Sequence, residues 1–301
     1  MSELIDRLKK GEVLLADGGI GTMLFQRGLK SGECPEKINL DHPEIPEEIS
    51  HLYFEAGADI VTTNTFGGSP LKLAQYGLAE KTAEINIAAV KASRRAVGNE
   101  ALVAASIGPC GALLKPYGDI DPQKVAECFS EQAAALLSAG PDAVFIETMT
   151  DLTEATLAIK AVRSHSSTVP IAATMTFDPT PGGFHTIMGI SIQQAANGLV
   201  EAGADIIGSN CGNGIDNMVK IGEQFTKHSR IPVIIQSNAG LPNVNGDKLV
   251  YNETPQYMAQ KCLLLLEFGV NIIGGCCGTT PQHTAALRKI IDAHNGRQRT
   301  T

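Results

Sequence analysis

Apolar positions along the chain fall into eight short, nearly continuous runs, separated by longer stretches in which apolar residues recur every three or four positions. The runs are VLLADGG (13–19), ADIVTTNT (58–65), ALVAASIGP (101–109), AVFIETM (143–149), VPIAATMTF (169–177), ADIIGSNC (204–211), PVIIQSNA (232–239) and NIIGGCCG (271–278). Runs of this length suit parallel strands buried on both faces. Between them the spacing predicts helices over 79–97, 122–139, 152–164, 191–202, 254–268 and 281–294. In the first of these, Ile85, Ala88, Ala89 and Ala92 make a single apolar stripe. Asp121-Pro122 and Thr280-Pro281 read as caps followed by proline at the first helical position.

The joint from helix to strand also repeats: EAGADIV (55–61), SAGPDAV (138–144), EAGADII (201–207) and EFGVNII (267–273). Glycine after the last helical residue can take the left-handed conformation that ends a helix. Eightfold strand–helix alternation with short connections predicts a (β/α)8 TIM barrel, one domain over 1–301 with its units running from about residue 12 to about residue 295. A doubly wound open sheet shares the same alternation. A barrel collects its reactive groups at the C-terminal strand ends. Those ends carry Asp17, Asn64, Cys110, Glu147, Asp178, Cys211, Asn238, Cys276 and Cys277.

Composition narrows the partners. With 43% apolar and 19% charged residues the chain is ordinary globular protein. A net charge of -8, no Trp and 5% aromatics argue against nucleic acid or an anionic membrane surface as the main partner. No apolar run reaches the ~18 residues of a membrane span, and the start lacks a signal peptide's apolar core, so the expected location is cytoplasmic. In that reducing compartment seven Cys point to metal, catalysis or core filling before disulfides.

Cys34, Cys110, Cys128 and Cys262 read as core filler. Cys211 ends the sixth run, and Cys276 and Cys277 end the eighth inside GGCCGTT. Neighbouring residues on a straight strand face opposite sides. Gly274, Gly275 and Gly278 would let the backbone turn so that both thiols face one point. Three thiolates suit Zn²⁺ and leave one position for substrate. A strained vicinal disulfide is the other reading of the pair. At the first strand end, GGIG (Gly18, Gly19, Ile20) offers unobstructed backbone N–H groups to a carboxylate, while Asp17 and Glu147 can accept from an ammonium group. Asn64 is a candidate substrate or loop-orienting contact. Thr279 and Thr280 read as caps of the last helix, and His283 as a helix-dipole or surface residue of it.

These segments resemble the homocysteine S-methyltransferase family over nearly the whole chain. The carriers are LLADGGIGT (14–22), TTNTFGG (62–68), SIGPCG (106–111), FIETMTD (145–151), MTFD (175–178), GSNCG (208–212), SNAGLP (237–242) and GGCCGTTPQH (274–283). The loops are most similar to the homocysteine-binding module of cobalamin-dependent methionine synthase. The resemblance implies zinc held by Cys211, Cys276 and Cys277, with homocysteine sulfur bound as a thiolate in the fourth position. It also implies that Asn238 can occupy that position without substrate, and that acidic residues matching Asp17 and Glu147 hold the amino group. The segment PTPGGFHTIMG (179–189) has no counterpart in the resemblance and takes no role from it.

The implied reaction is methylation of homocysteine to methionine, with methylcobalamin on a separate corrinoid protein as donor. S-methylmethionine or betaine as donor, a homocysteine or corrinoid-docking subunit with little turnover, and a structural zinc site in an unrelated barrel hydrolase are the competing readings. The relatives in the resemblance carry folate, cobalamin and reactivation domains that 301 residues cannot also hold. The expectation is a stand-alone or excised acceptor module whose methyl group arrives from outside the chain.

Overall fold

The computed structural model describes residues 2–245 and 248–296. The eight runs become eight strands: Leu14–Leu15, Ile60–Thr62, Leu102–Ile107, Ala143–Met149, Ile171–Met175, Ile206–Asn210, Val233–Ser237 and Ile272–Gly275. They are called the first to eighth strands below. All pair in parallel, each beside its neighbour in sequence, and the first pairs with the eighth. A parallel bridge between Ala16 and Ile60 closes the remaining seam. Backbone bonds from Asp17 N to Ile60 O (3.0 Å) and from Asp59 N to Leu15 O (2.8 Å) run along it. The sheet is a (β/α)8 barrel, and the open-sheet alternative falls away.

Strand alternation divides the core in two. Leu14, Ile60, Leu102, Phe145, Ala172, Ile206, Ile234 and Ile272 fill the barrel interior. Their neighbours Leu15, Val61, Val103, Val144, Ile207, Ile235 and Ile273 pack in a second cluster that includes residues of the outer helices. Burying each such aliphatic side chain contributes about 1.5–3 kcal/mol, which is why both faces of every strand are apolar. Leu4 and Leu8 of the helix Glu3–Lys9 join the interior cluster. Asp59 locks that end: it pairs with Arg7 and Arg288, each at 2.7 Å, and accepts from Leu15 N at 2.9 Å.

The six expected helices are present with ends moved by a few residues: Thr82–Val97, Pro122–Ser138, Leu152–His165, Ile192–Ala202, Pro255–Glu267 and Pro281–His294. Residues 79–81 form a 3-10 turn instead of the start of the first. The repeated joint takes the expected form, with left-handed Gly57, Gly140, Gly203 and Gly269.

Four helices of seven residues or more lie where the pattern gave no prediction: Glu3–Lys9, Ile20–Gln26, Glu44–Glu55 and Ile215–His228. The last carries Gly222. In the fold it lets a neighbouring helix approach, since a Cβ there would lie 2.6 Å from Leu265. Two antiparallel hairpins also appear, Asp178–Thr180 with Gly183–His185 and Asn243–Asn245 with Lys248–Val250. Among the described residues no helix is long and apolar enough to cross a membrane.

Candidate metal centre

Continuing the inward alternation past the apolar interior places Ser106, Glu147, Thr174, Asn210 and Gln236 in one layer below the mouth. Ser106, Thr174, Asn210 and Gln236 are buried. Asn210 is the hub. Its Oδ1 accepts from Thr148 N (2.7 Å) and Thr174 Oγ1 (2.8 Å), and its Nδ2 donates to Thr148 Oγ1 (2.8 Å) and Glu147 (3.3 Å). Ser106 Oγ donates to the other Glu147 oxygen.

Above this layer the three thiols converge. Cys211, on a straight continuation of the sixth strand, would point out of the barrel. Instead it sits at φ 60, a left-handed conformation that turns the chain and costs a non-glycine residue about 1–2 kcal/mol. Its N–H donates to Gln236 O (3.1 Å) and its carbonyl accepts from Asn213 N (2.8 Å).

Cys276 keeps the strand ladder through its N–H to Ser237 O (2.8 Å). Cys277 begins the turn, donating its N–H to Asn238 Oδ1 (3.1 Å) and accepting from Ala239 N (2.9 Å). Of the three flanking glycines, Gly278 is the one in a left-handed conformation, at φ 80. Gly274 and Gly275 stay in the strand, contrary to the sequence expectation. They are small for packing reasons: added Cβ atoms would lie 2.9 Å from the Ala16 Cβ and 2.3 Å from Thr279 Oγ1.

The result is three sulfur atoms all within 4.8 Å of one another, with Cys211 and Cys277 3.8 Å apart. A tetrahedral ion with Zn–S bonds of about 2.3 Å spaces its sulfurs about 3.8 Å apart, so the cluster fits a thiophilic cation. All seven cysteines are free thiols, and a vicinal Cys276–Cys277 disulfide is not formed. Thiol hydrogen bonds from Cys276 and Cys277 hold Cys211 well below the usual thiol range and push the other two up.

Asp17 and Glu147 are the acidic groups near the cluster. Asp17 accepts from Thr62 N (2.6 Å) and Thr62 Oγ1 (3.0 Å). Burial raises its carboxyl to about 7, against the Thr62 bonds and with the charge of Glu147 adding to the rise. Burial likewise raises Glu147 to about 7, opposed by the Ser106 bond and aided by Cys211. Two carboxyls shifted toward neutrality beside a thiol cluster make this end of the barrel a candidate functional site.

The other predicted positions divide. Gly19 N donates to Thr279 Oγ1 (3.0 Å), so that amide already has a partner, and Ile20 opens the helix Ile20–Gln26. Gly18 lies against Tyr53 and Thr279, where a Cβ would be 2.9 and 2.6 Å from them. Asn64 turns into the loop below, donating to Pro35 O (2.8 Å) and Asn39 Oδ1 (3.0 Å), which is the loop-orienting alternative. Thr280 caps the last helix as expected, but Thr279 does not: it is fully buried and donates to Cys276 O (2.7 Å), tying the cysteine turn to the first loop. His283 is buried rather than on the surface, bridging Thr280 N (3.2 Å) and Glu253 O (3.0 Å).

Sequence reasoning missed Asn210, Ser106 and Tyr251. The first two follow from counting alternate positions inward from Ile206 and Leu102. Tyr251, whose ring lies against Gly278 beside the cysteine pair, carried no local signal.

The residue pattern of the homocysteine S-methyltransferase family matches residues 14–291. Methionine synthase of Mycobacterium leprae is 32% identical across 94% of this chain and 24% of its own length. Methionine synthase of Mycobacterium tuberculosis is 32% identical across 94% of this chain and 25% of its own. The chain thus spans about a quarter of the length of these curated relatives. The metallated form of the homocysteine methyltransferase MmuM from Escherichia coli has a similar fold, with TM-score 0.80 at 23% identity over 95% of this chain and 99% of that one.

Proposed function

The chain belongs to the homocysteine S-methyltransferase family, and from that premise we propose that it methylates the sulfur of homocysteine at the three-cysteine mouth. The observation that carries the reading is the convergence of Cys211, Cys276 and Cys277 within 4.8 Å, beside the buried Asp17 and the half-buried Glu147. In this proposal the three thiolates hold Zn²⁺. Zinc when bound keeps a ligating thiol deprotonated and electron-rich at neutral pH, which a free alkyl thiol near pKa 8.5 is not.

The chain's own residues bind and orient. Asp17 and Glu147 accept hydrogen bonds from the substrate ammonium, whose positive charge offsets the burial that raises both carboxyls. Thr62 fixes Asp17, while Ser106 and Asn210 fix Glu147, so the amino end is anchored below the sulfur. Gly18, Gly19 and Ile20 stand at the carboxylate end, with the Gly19 amide released only if Thr279 yields its bond. Asn238 acts as a fourth ligand without substrate only after its Oδ1 leaves the Cys277 N–H. With no general base required, the aligned sulfur would attack a methyl group presented at the open mouth, the S–CH₃ bond forming as the methyl–donor bond breaks and its electron pair stays with the donor.

The proposed donor is methylcobalamin carried by a separate corrinoid protein, supported by similarity to one quarter of the methionine synthases. The test offers the zinc-loaded chain homocysteine with methylcobalamin, S-methylmethionine or betaine in separate reactions and measures methionine. Methionine from methylcobalamin above a zinc-free control is the expected result. Turnover with a small donor alone would move the donor assignment, and none with any donor, alongside tight homocysteine binding, would favour a binding subunit.

A further inference from the structure

In the polar layer below the mouth, the side-chain donors of Ser106, Thr174 and Asn210 are all committed within the chain. Ser106 Oγ donates to Glu147, and Thr174 Oγ1 donates to Asn210 Oδ1 (2.8 Å). Asn210 Nδ2 donates to Thr148 Oγ1 (2.8 Å) and to Glu147 (3.3 Å). Gln236 completes the layer and differs from the rest. Its side chain is buried, yet its Oε1 has no hydrogen-bond partner among the described residues.

Ile234, two residues earlier on the seventh strand, belongs to the barrel interior, so Gln236 projects into the lumen and not toward the outer helices. In register it stands beside Asn210 of the sixth strand and beside Gly274 of the eighth, which has no side chain to offer a bond. A buried acceptor left without a donor costs about 1–3 kcal/mol, and native interiors hold few of them. A ligand that brings its own N–H offsets that cost.

The proposed substrate brings three. An ammonium group carries three N–H donors, and Asp17 and Glu147 provide acceptors for two of them. Gln236 Oε1 is the uncommitted acceptor of the same layer, next to the Asn210 that holds Glu147. A neutral amide suits the third place, because a third carboxylate would add negative charge beside the thiols.

We propose that Gln236 is a substrate-binding residue whose Oε1 accepts the third N–H of the homocysteine ammonium, so that the site selects thiols bearing a free amine. The contact is noncovalent, and the inference rests on the reading of this mouth as a homocysteine site.

The test titrates zinc-loaded full-length protein calorimetrically with three thiols. These are homocysteine, 3-mercaptopropylamine, which lacks the carboxylate, and 4-mercaptobutyrate, which lacks the ammonium. Gln236→Met keeps the length of the side chain without its polar atoms. It is expected to weaken homocysteine and 3-mercaptopropylamine by roughly ten- to hundredfold and to leave 4-mercaptobutyrate within about twofold. Gln236→Glu keeps an acceptor, so 3-mercaptopropylamine should gain affinity relative to 4-mercaptobutyrate. That ratio is readable even if Gln236→Met does not fold.

Equal weakening of all three thiols in Gln236→Met would show a packing role and overturn the proposal. An unchanged ratio in Gln236→Glu would overturn it too. A zinc-loaded parent that binds no homocysteine would bring down the substrate reading and this one together. A parent that binds homocysteine, with Gln236→Met binding it equally well, brings down this one alone.

Discussion

Glu147 shows how one side chain can be costly to the fold and useful to the site. It is held by Ser106 and Asn210, yet burial raises it from the ordinary carboxylate range to about 7. A carboxyl raised in this way stabilises the folded state fully below its unfolded pKa of about 4, and that contribution is lost as pH rises through about 7. Glu147→Gln keeps the shape without the charge. Its midpoint of thermal unfolding, followed by circular dichroism, should exceed the parent's at pH 8 and match it at pH 5. In the parent, homocysteine binding should tighten as pH rises through about 7, because an ionised carboxylate holds the ammonium. Calorimetric titration of Glu147→Gln should give weaker binding with a flatter pH dependence, and unchanged binding would remove Glu147 from the substrate contact. Among the thiols, Cys276→Ser should lower zinc bound per chain from one to well below one at micromolar metal, since a hydroxyl is a poor zinc ligand. Full metal content in that variant would dismiss the three-cysteine site.

At the scale of elements, the decisive piece is the short turn after the eighth strand. Gly278 carries a left-handed φ of 80 and meets the Tyr251 ring where a Cβ would be, so alanine there strains the backbone and displaces the ring together. Gly278→Ala should destabilise by about 1–3 kcal/mol, the range for a left-handed site combined with overpacking. It should also accelerate zinc release to a chromogenic chelator, whereas Gly296→Ala, with nothing within 4 Å of its Cβ, should leave release unchanged. Equal release rates in the two variants would mean that the turn does not hold the thiols in place. The opposite end of the barrel depends on Asp59, which joins the helices Glu3–Lys9 and Pro281–His294 to the start of the second strand. Arg288→Ala leaves that buried carboxylate with Arg7 as its one remaining cation beside the Leu15 amide, and a loss of about 3–5 kcal/mol is expected in urea unfolding.

At the scale of the whole molecule, part of the exposed apolar surface lies on the loops that carry the reactive groups. Leu113, Tyr117, Ile187 and Leu241 are exposed, with Tyr117 at 73% and Ile187 at 78%, and all four lie on loops that follow barrel strands. Exposed apolar groups around a polar site suit contact with a second protein. For the proposed corrinoid partner, Ile187→Ser with Leu241→Ser should slow methyl transfer from protein-bound methylcobalamin at least about tenfold, equivalent to about 1.4 kcal/mol of contact. Transfer from free methylcobalamin should be unaffected. A parallel fall with both donors would place the effect in the site and not in docking.

What the sequence determined by itself was the barrel and the identity of the three thiols. Eight apolar runs and four glycine joints are local signals, because strand burial and helix termination are decided within a few residues. The cysteines stood out because their residue type is specific to so few chemistries. The tertiary structure decided what depends on groups far apart in sequence meeting. It closed the sheet through Ala16 and Ile60, gave Asn64 to a loop instead of the mouth, and made Gly274 and Gly275 packing residues and not hinges. It also supplied Asn210 and Ser106, whose contacts with Glu147 exist only because distant strand ends lie a few ångströms apart. Hydrogen bonding and desolvation act over those distances and leave no periodic mark in the sequence.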